Sequence, residues 1–132
     1  MYHIVVADDH ALVREELKKI LAGRIDLEVA GEACDGLEAL ALVEKNRPDM
    51  VILDISMPNL GGIGATRQIK RLYPNVKVLI LTMHNNWEYF HNAILAGADG
   101  YLLKADMDTE LFSAIEKVRK GEVYVSPHLG AK

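Results

Sequence analysis

Five polar residues each sit at the end of an apolar run, and their types together suit phosphoryl chemistry. Asp8 and Asp9 follow Ile4-Val5-Val6-Ala7, Asp54 follows Met50-Val51-Ile52-Leu53, Thr82 follows Val76-Lys77-Val78-Leu79-Ile80-Leu81, and Lys104 follows Tyr101-Leu102-Leu103. Two unit charges about 4 Å apart repel by roughly 4 kcal/mol at an effective dielectric of about 20, so three acids in one pocket require a cation, a proton or a lysine beside them. Oxygen donors with open positions suit Mg2+, which keeps waters and takes up phosphate oxygens. His10 is the lone imidazole at that edge and no cysteine stands there, which speaks against zinc or copper. Lys104 and Thr82 add a mobile positive charge and a hydroxyl donor for phosphoryl oxygens, and one carboxylate can act as a nucleophile and carry an acyl phosphate. Taken singly, Asp8 reads as a helix cap and Thr82 as a strand-end hydroxyl bonded to backbone. Their weight comes from sharing one edge.

The elements that must position them follow from periodicity. The four runs are strand-length, rich in Val, Ile and Leu and mostly without polar alternation, as strands covered on both faces are. Leu27-Glu28-Val29-Ala30-Gly31 alternates and reads as an edge strand. Helical faces lie between: Val13, Leu17, Ile20 and Leu21; Ala39, Leu40 and Val43; Ala65, Ile69 and Leu72; Phe90, Ala93 and Ile94; Leu111, Ala114, Ile115 and Val118. Asp35 with Glu38 spells a capping box, Asp108 is placed to cap the last helix, Gly23, Gly97 and Gly121 mark helix ends, and Pro48 and Pro74 follow such ends. Five strand-helix repeats predict an open, doubly wound α/β fold, a five-stranded parallel sheet with helices on both faces. Ligands of such sheets bind beyond the carboxyl ends of the strands where strand order reverses, which is where the five polar residues stand. One domain fills residues 1–121, and 122–132 falls outside the pattern and reads as the start of a linker.

Composition agrees. The chain has 132 residues, 50% hydrophobic and 26% charged, and at 14.7 kDa such a chain buries about two-thirds of its unfolded surface without needing disulfide or structural metal. Fifteen Lys and Arg against nineteen Asp and Glu give a net charge of −4, so no field draws it onto nucleic acid or an anionic membrane, and any contact with DNA calls for another domain. The single cysteine, Cys34, flanked by acids, reads as a small core residue in a reducing compartment. With no basic leader and no apolar run near the roughly 18 residues a membrane span requires, the chain is expected in the cytoplasm.

Type, order and spacing then converge on one resemblance. Asp8-Asp9, Asp54-Ile55-Ser56-Met57-Pro58 with Gly61-Gly62, Thr82, and Gly97-Ala98-Asp99-Gly100-Tyr101-Leu102-Leu103-Lys104 together resemble the receiver domain of two-component response regulators over nearly the whole chain. The resemblance implies a flavodoxin-like sheet of order 2-1-3-4-5. It implies that Asp54 accepts a phosphoryl group from the phosphohistidine of a sensor histidine kinase, and that Asp9, Asp54 and the Ser56 backbone carbonyl ligate Mg2+, with Asp8 holding a metal-bound water. Lys104 would clamp the phosphoryl oxygens, Thr82 would hydrogen-bond one of them, and Tyr101 resembles the aromatic switch whose ring turns inward as Thr82 moves. The implied product is a regulatory phosphoacceptor rather than a turnover enzyme, read out through residues 86–120 and able to form a homodimer on phosphorylation. Asp9-His10, Leu102-Leu103-Lys104-Ala105 and Gly121-Glu122-Val123-Tyr124-Val125-Ser126-Pro127 are similar to the NarL/FixJ subfamily, whose members control transcription through a C-terminal helix-turn-helix domain that these 132 residues do not contain.

The sequence departs from the common receiver pattern at Ala105, where many receivers carry proline after a cis peptide; either a strained bond is held by the fold or Lys104 is presented differently. The turn Asn59-Leu60-Gly61-Gly62 also lacks an acid often found there. An Asp-nucleophile phosphohydrolase would need a second acid where Ser56 stands and residues for a cap. A flavin or nucleotide carrier would need a Gly- and Ser-rich first turn in place of Asp8-Asp9-His10. His84 and His91, seven apart, share a helical face if both are helical, and His84, two residues past Thr82, can with Ser56 tune phosphoryl loss by steering water. Trp87 is placed to meet a partner, and Lys117, Arg119 and Lys120 favour a helix C-terminus.

Overall fold

The computed structural model describes residues 1–131. In chain order the elements are β1 (Tyr2–Ala7), α1 (Ala11–Leu21), β2 (Leu27–Ala33), α2 (Gly36–Asn46), β3 (Met50–Leu53), α3 (Gly62–Leu72), β4 (Lys77–Thr82), α4 (Trp87–Leu95), β5 (Gly100–Leu103), a 3-10 turn (Lys104–Asp106), α5 (Met107–Arg119) and β6 (Tyr124–Val125). The strands form one sheet in the order β2-β1-β3-β4-β5-β6, and every pairing is parallel.

The period of two along each strand divides the core. Val5, Ala7, Val51, Leu53, Val78, Ile80, Tyr101 and Leu103 face one side, where Ala39, Val43, Ala65, Ile69 and Ala93 of α2, α3 and α4 pack on them. Ile4, Val6, Met50, Ile52, Leu79, Leu81 and Leu102 face the other, under Leu17 and Leu21 of α1 and Leu111, Ala114, Ile115 and Val118 of α5. Burial on both faces is why these strands lack polar alternation.

Strand order reverses at β1, whose Ile4 pairs with Val29 on one side and Met50 on the other. Ala7 and Leu53 are therefore neighbours, and the residues after them, Asp8 and Asp54, emerge together; the Asp54 amide donates to the Ala7 carbonyl at 3.1 Å. β2 is the edge strand, as its alternation predicts, but runs to Ala33, because a bulge opposite Ile4/Val5 leaves Ala30 out of the ladder. The Asp35 carboxylate caps α2 by accepting from the Glu38 amide at 2.8 Å, while the Glu38 carboxylate reaches back to the Cys34 amide at 2.9 Å, one residue earlier than in the usual capping box.

Five expectations are corrected. The sheet has six strands rather than five, and the segment 122–132, expected as a linker, folds onto the domain as far as it is described: Tyr124 and Val125 pair with Gly100 and Tyr101, and Tyr124, Ser126 and Leu129 are buried. A two-residue strand is too short to carry a readable period. Asp108 does not cap α5; it lies in the first turn, since the 3-10 turn brings the helix start forward to Met107. Cys34 is exposed, its thiol donating to Glu38 at 3.2 Å and pushed up in pKa by that carboxylate. His84 precedes α4 and so shares no helical face with His91. The Lys104–Ala105 bond is trans, and Lys104 is presented from the start of the 3-10 turn.

Gly62 sets the closest backbone approach beneath the site. A Cβ there would lie 1.9 Å from the Asp54 carbonyl oxygen and 2.9 Å from Ile55 Cα, so α3 starts pressed against the residues that carry Asp54. Gly62→Ala is expected to cost about 3 kcal/mol, the upper part of the usual range for overpacking. Gly121→Ala, at φ +85 with open space around it, is expected to cost about 1 kcal/mol from backbone strain alone. Urea midpoints of the two variants check the order, which reverses if α3 can slide outward freely.

Candidate functional site

Asp8 leaves β1 and is buried almost completely. Its Oδ1 accepts from the His10 amide at 2.9 Å and lies 3.0 Å from His10 Nδ1, which is also 3.2 Å from Asp9 Oδ1. The Arg14 guanidinium, one turn into α1, donates to the Asp8 backbone carbonyl at 2.6 Å. Asp54 leaves β3, also buried, with Oδ1 accepting from the Ile55 amide at 2.7 Å and Oδ2 from Lys104 Nζ at 3.1 Å.

Lys104 links the two acids. Its Nζ stands 2.9 Å from Asp8 Oδ2 as well, yet Asp8 Oδ2 has no directed hydrogen bond among the described residues. The contact is therefore a close charge pair made off the ideal bonding direction. Burial pulls the Lys104 pKa down, but the Asp8 and Asp54 carboxylates outweigh it and hold the ammonium above its ordinary value. The amine stays charged.

Carboxylate oxygens of Asp8, Asp9 and Asp54 and a ring nitrogen of His10 lie within 4.8 Å of one another. Three hard oxygen donors fit a divalent cation that prefers oxygen. This group can bind a metal ion.

The remaining predicted residues line the rim. Thr82, fully buried at the end of β4, accepts from the His84 amide at 3.2 Å and retains its own proton to donate. Ser56 Oγ and His84 Nε2 are 2.8 Å apart, and the His84 ring stacks on Tyr89 with centroids 4.0 Å apart. His10, Asp54, Ser56, Thr82, Met83, His84 and Lys104 enclose a cleft of about 260 Å3. Asp8 and Tyr101 are not among the residues that line the cleft. The Tyr101 ring is fully inside, edge-on to Phe90 at 5.5 Å, and its hydroxyl donates to the His84 carbonyl at 2.8 Å. Burial, with the Asp54 charge and Tyr89 adding to it, raises the phenol's pKa and keeps it a donor.

A larger hollow of about 430 Å3 lies between Arg47–Asp49 and Leu72–Val76 at the opposite end of the sheet, lined by a single acid, Asp49, and by no lysine. Sequence reasoning missed Arg14, whose target is a backbone carbonyl that no side-chain pattern announces. The only signal was its place one turn after His10.

The comparisons with known proteins match this geometry. Residues 4–116 match the response regulator receiver domain. The transcriptional regulatory protein DegU of Brevibacillus brevis is 44% identical over 125 residues, 94% of this chain and 52% of that protein. Among solved structures, a LuxR-family two-component response regulator from Aurantimonas superposes with a TM-score of 0.92 at 37% identity, over 96% of this chain and 91% of that one. The isolated receiver domain of RcsB from Salmonella enterica, solved with the phosphomimetic BeF3-, superposes with a TM-score of 0.90 at 27% identity, over 97% and 95%. The chain spans about half the length of the curated relatives it matches. With the acid trio at the strand-order reversal and 113 consecutive residues, 4 to 116, matching one family, the chain belongs to the response regulator receiver domains, of the LuxR/NarL kind.

Proposed function

We propose that this receiver is a phosphorylation switch in which Asp54 accepts a phosphoryl group, with Mg2+, from the phosphohistidine of a sensor histidine kinase. The observation that carries the reading is Asp54 Oδ2 at 3.1 Å from the Lys104 ammonium on the wall of an open cleft, with Asp8 and Asp9 alongside. An Asp54 oxygen attacks phosphorus, a P–O bond forms as the P–N bond breaks, and the departing imidazole takes up a proton. Asp9, Asp54 and the Ser56 carbonyl would hold the ion directly and Asp8 through a water; bound there, Mg2+ supplies charge neutralisation for the transferring group. Lys104 follows the charge as it passes from carboxylate to phosphoryl oxygens, and Thr82 turns its free proton toward one of them.

The modified side chain carries about −1.5 to −2 charges and three acceptor oxygens in place of one carboxylate. Taking the switch from 1:99 to 99:1 demands roughly 5.5 kcal/mol of preference for the active arrangement. A few charge-assisted hydrogen bonds from Lys104 and Thr82 are of that order. The domain is thus a cytoplasmic regulatory phosphoacceptor that assists its own phosphorylation and dephosphorylation rather than an enzyme with an external substrate. The Ser56–His84 pair on the rim is suited to orient a hydrolytic water. The output runs through α4, β5 and α5, by dimerisation and through a helix-turn-helix DNA-binding domain beyond these residues, in keeping with a relative named as a transcriptional regulatory protein.

Incubation with Mg2+ and a small acyl-phosphate donor is expected to add one phosphate by intact mass, absent in Asp54→Asn and after chelation; multiple turnover of phosphomonoesters would overturn the reading in favour of a hydrolase. In Ser56→Ala and His84→Ala the adduct should still form, with an altered half-life. Asp8→Asn is expected to weaken Mg2+ binding by about 10–100-fold, the usual effect of losing an outer-sphere carboxylate, as measured by calorimetric titration; an unchanged affinity would remove Asp8 from the metal site.

A further inference from the structure

The segment 124–131 straps together the two loops that carry the phosphoryl-handling residues. At one end it grips the 3-10 turn begun by Lys104: Ser126 Oγ donates to Asp106 Oδ2 at 2.5 Å and accepts from the Leu103 amide at 3.1 Å, and His128 Nδ1 lies 2.7 Å from Asp106 Oδ1. Asp106 is buried, which acts to raise its pKa, but Ser126 and His128 outweigh that and hold it below the usual carboxylate range, as an ionised acceptor. At the other end the segment grips the loop between β4 and α4. The Gly130 amide donates to the Asn85 carbonyl at 3.0 Å and to Asn85 Oδ1 at 2.7 Å, and Asn85 Nδ2 donates to the Ala131 carbonyl at 2.8 Å.

Between the two grips the segment is packed in. Leu129 joins the core cluster that contains Tyr101 and Leu103, the Ser126 amide donates to the Tyr101 carbonyl at 2.9 Å, and Gly130, at φ +82, lies so close to Trp87 that a Cβ would come within 2.5 Å of Nε1. The strap therefore touches the loop after Thr82, the turn after Lys104 and the strand that carries Tyr101. Among the described residues none of its hydrogen bonds goes to the acid cluster itself.

We propose that the segment 124–131 is a clasp, seated through Asn85 and Asp106, whose docking is coupled to the charge state of Asp54, so that phosphorylation tightens it. The proposal rests on Asp54 as the phosphoacceptor. A phosphoryl group draws Lys104 and Thr82 to one point and fixes the two loops that form the clasp's seat. Linkage is reciprocal, so a seated clasp must also favour the phosphorylated form by the same factor. Chain continuing past the clasp would thereby feel the site without contacting it.

Trp87 is the only tryptophan and lies against Gly130, so its emission reports the docked clasp. The test treats the full chain with acetyl phosphate and Mg2+, with intact mass for the adduct, Trp87 quenching by acrylamide, and amide exchange over 124–131. The adduct is expected to slow exchange of the Ser126 and Gly130 amides about fivefold or more, the lower end of typical allosteric coupling, and to shield Trp87. Asn85→Ala and Gly130→Ala should expose Trp87 and shorten the adduct half-life by a similar factor, while Lys19→Ala, at an exposed position of α1, leaves both unchanged; Asn85→Ala alone decides the half-life if Gly130→Ala does not fold. Full adduct with unchanged exchange, or Asn85→Ala with the wild-type half-life, overturns the clasp and leaves the phosphoacceptor standing. No adduct in the wild type overturns both.

Discussion

One half-buried ammonium organises the carboxyl edge of this sheet. Lys104 stands 2.9 Å from Asp8 and 3.1 Å from Asp54, and without it two nearly fully buried carboxylates would face each other in a medium that screens poorly. Such clusters seldom stabilise a fold, because desolvating each charge costs several kcal/mol that the pairing returns only with good geometry. Here the geometry is good on one side only: Asp54 receives a directed hydrogen bond and Asp8 Oδ2 does not. Three carboxylates against one lysine leave two negative charges over, the charge of a single divalent ion. The acid cluster thus keeps a charge that one divalent cation can balance.

The fold supplies this arrangement through backbone rather than side-chain complementarity. Strand order reverses at β1, which sets Ala7 beside Leu53 and so Asp8 beside Asp54. β4 and β5 continue the ladder and deliver Thr82 and Lys104 from adjacent strand ends, paired as Thr82 with Leu103. Asp8 and Asp9 come from β1, at the reversal, and Asp54, the hydroxyl and the amine from the strands that continue on one side of it. Gly62, pressed on the Asp54 carbonyl, closes the floor. The first positions past the strands are constrained by the ladder and the residues beyond them are not, which separates the rigid acids from the loops able to move.

That division also explains what could be read from the sequence. Strands buried on both faces announce themselves as apolar runs, and the residue after each run is fixed by counting, so Asp8, Asp54, Thr82 and Lys104 were legible. Asp35 and Glu38 were legible as a cap because capping is local. Tyr124 and Val125 were not, since two residues have no period and their burial comes from pairing with a distant β5. The misreading of Asp108 has the same root: a 3-10 turn between strand and helix moves the boundary without changing the pattern. Arg14 acts on a carbonyl, Asn85 and Asp106 on a segment up to 46 residues away, and such contacts exist only once the chain is folded.

The inward Tyr101 ring joins these two kinds of information. Its hydroxyl is spent on the His84 carbonyl and its backbone carbonyl on the Ser126 amide, so one residue ties the loop after β4 to the segment after α5. A buried phenol without an acceptor leaves a polar group unsatisfied at about 1–3 kcal/mol, so the ring can stay inside only while the His84 carbonyl remains in reach. Movement of the Thr82–Asn85 loop therefore cannot leave Tyr101 indifferent. Whatever moves that loop also acts on the strand against which β6 pairs. The loop after β4, β5 and the segment after α5 are thus joined by ordinary hydrogen-bond satisfaction through one residue.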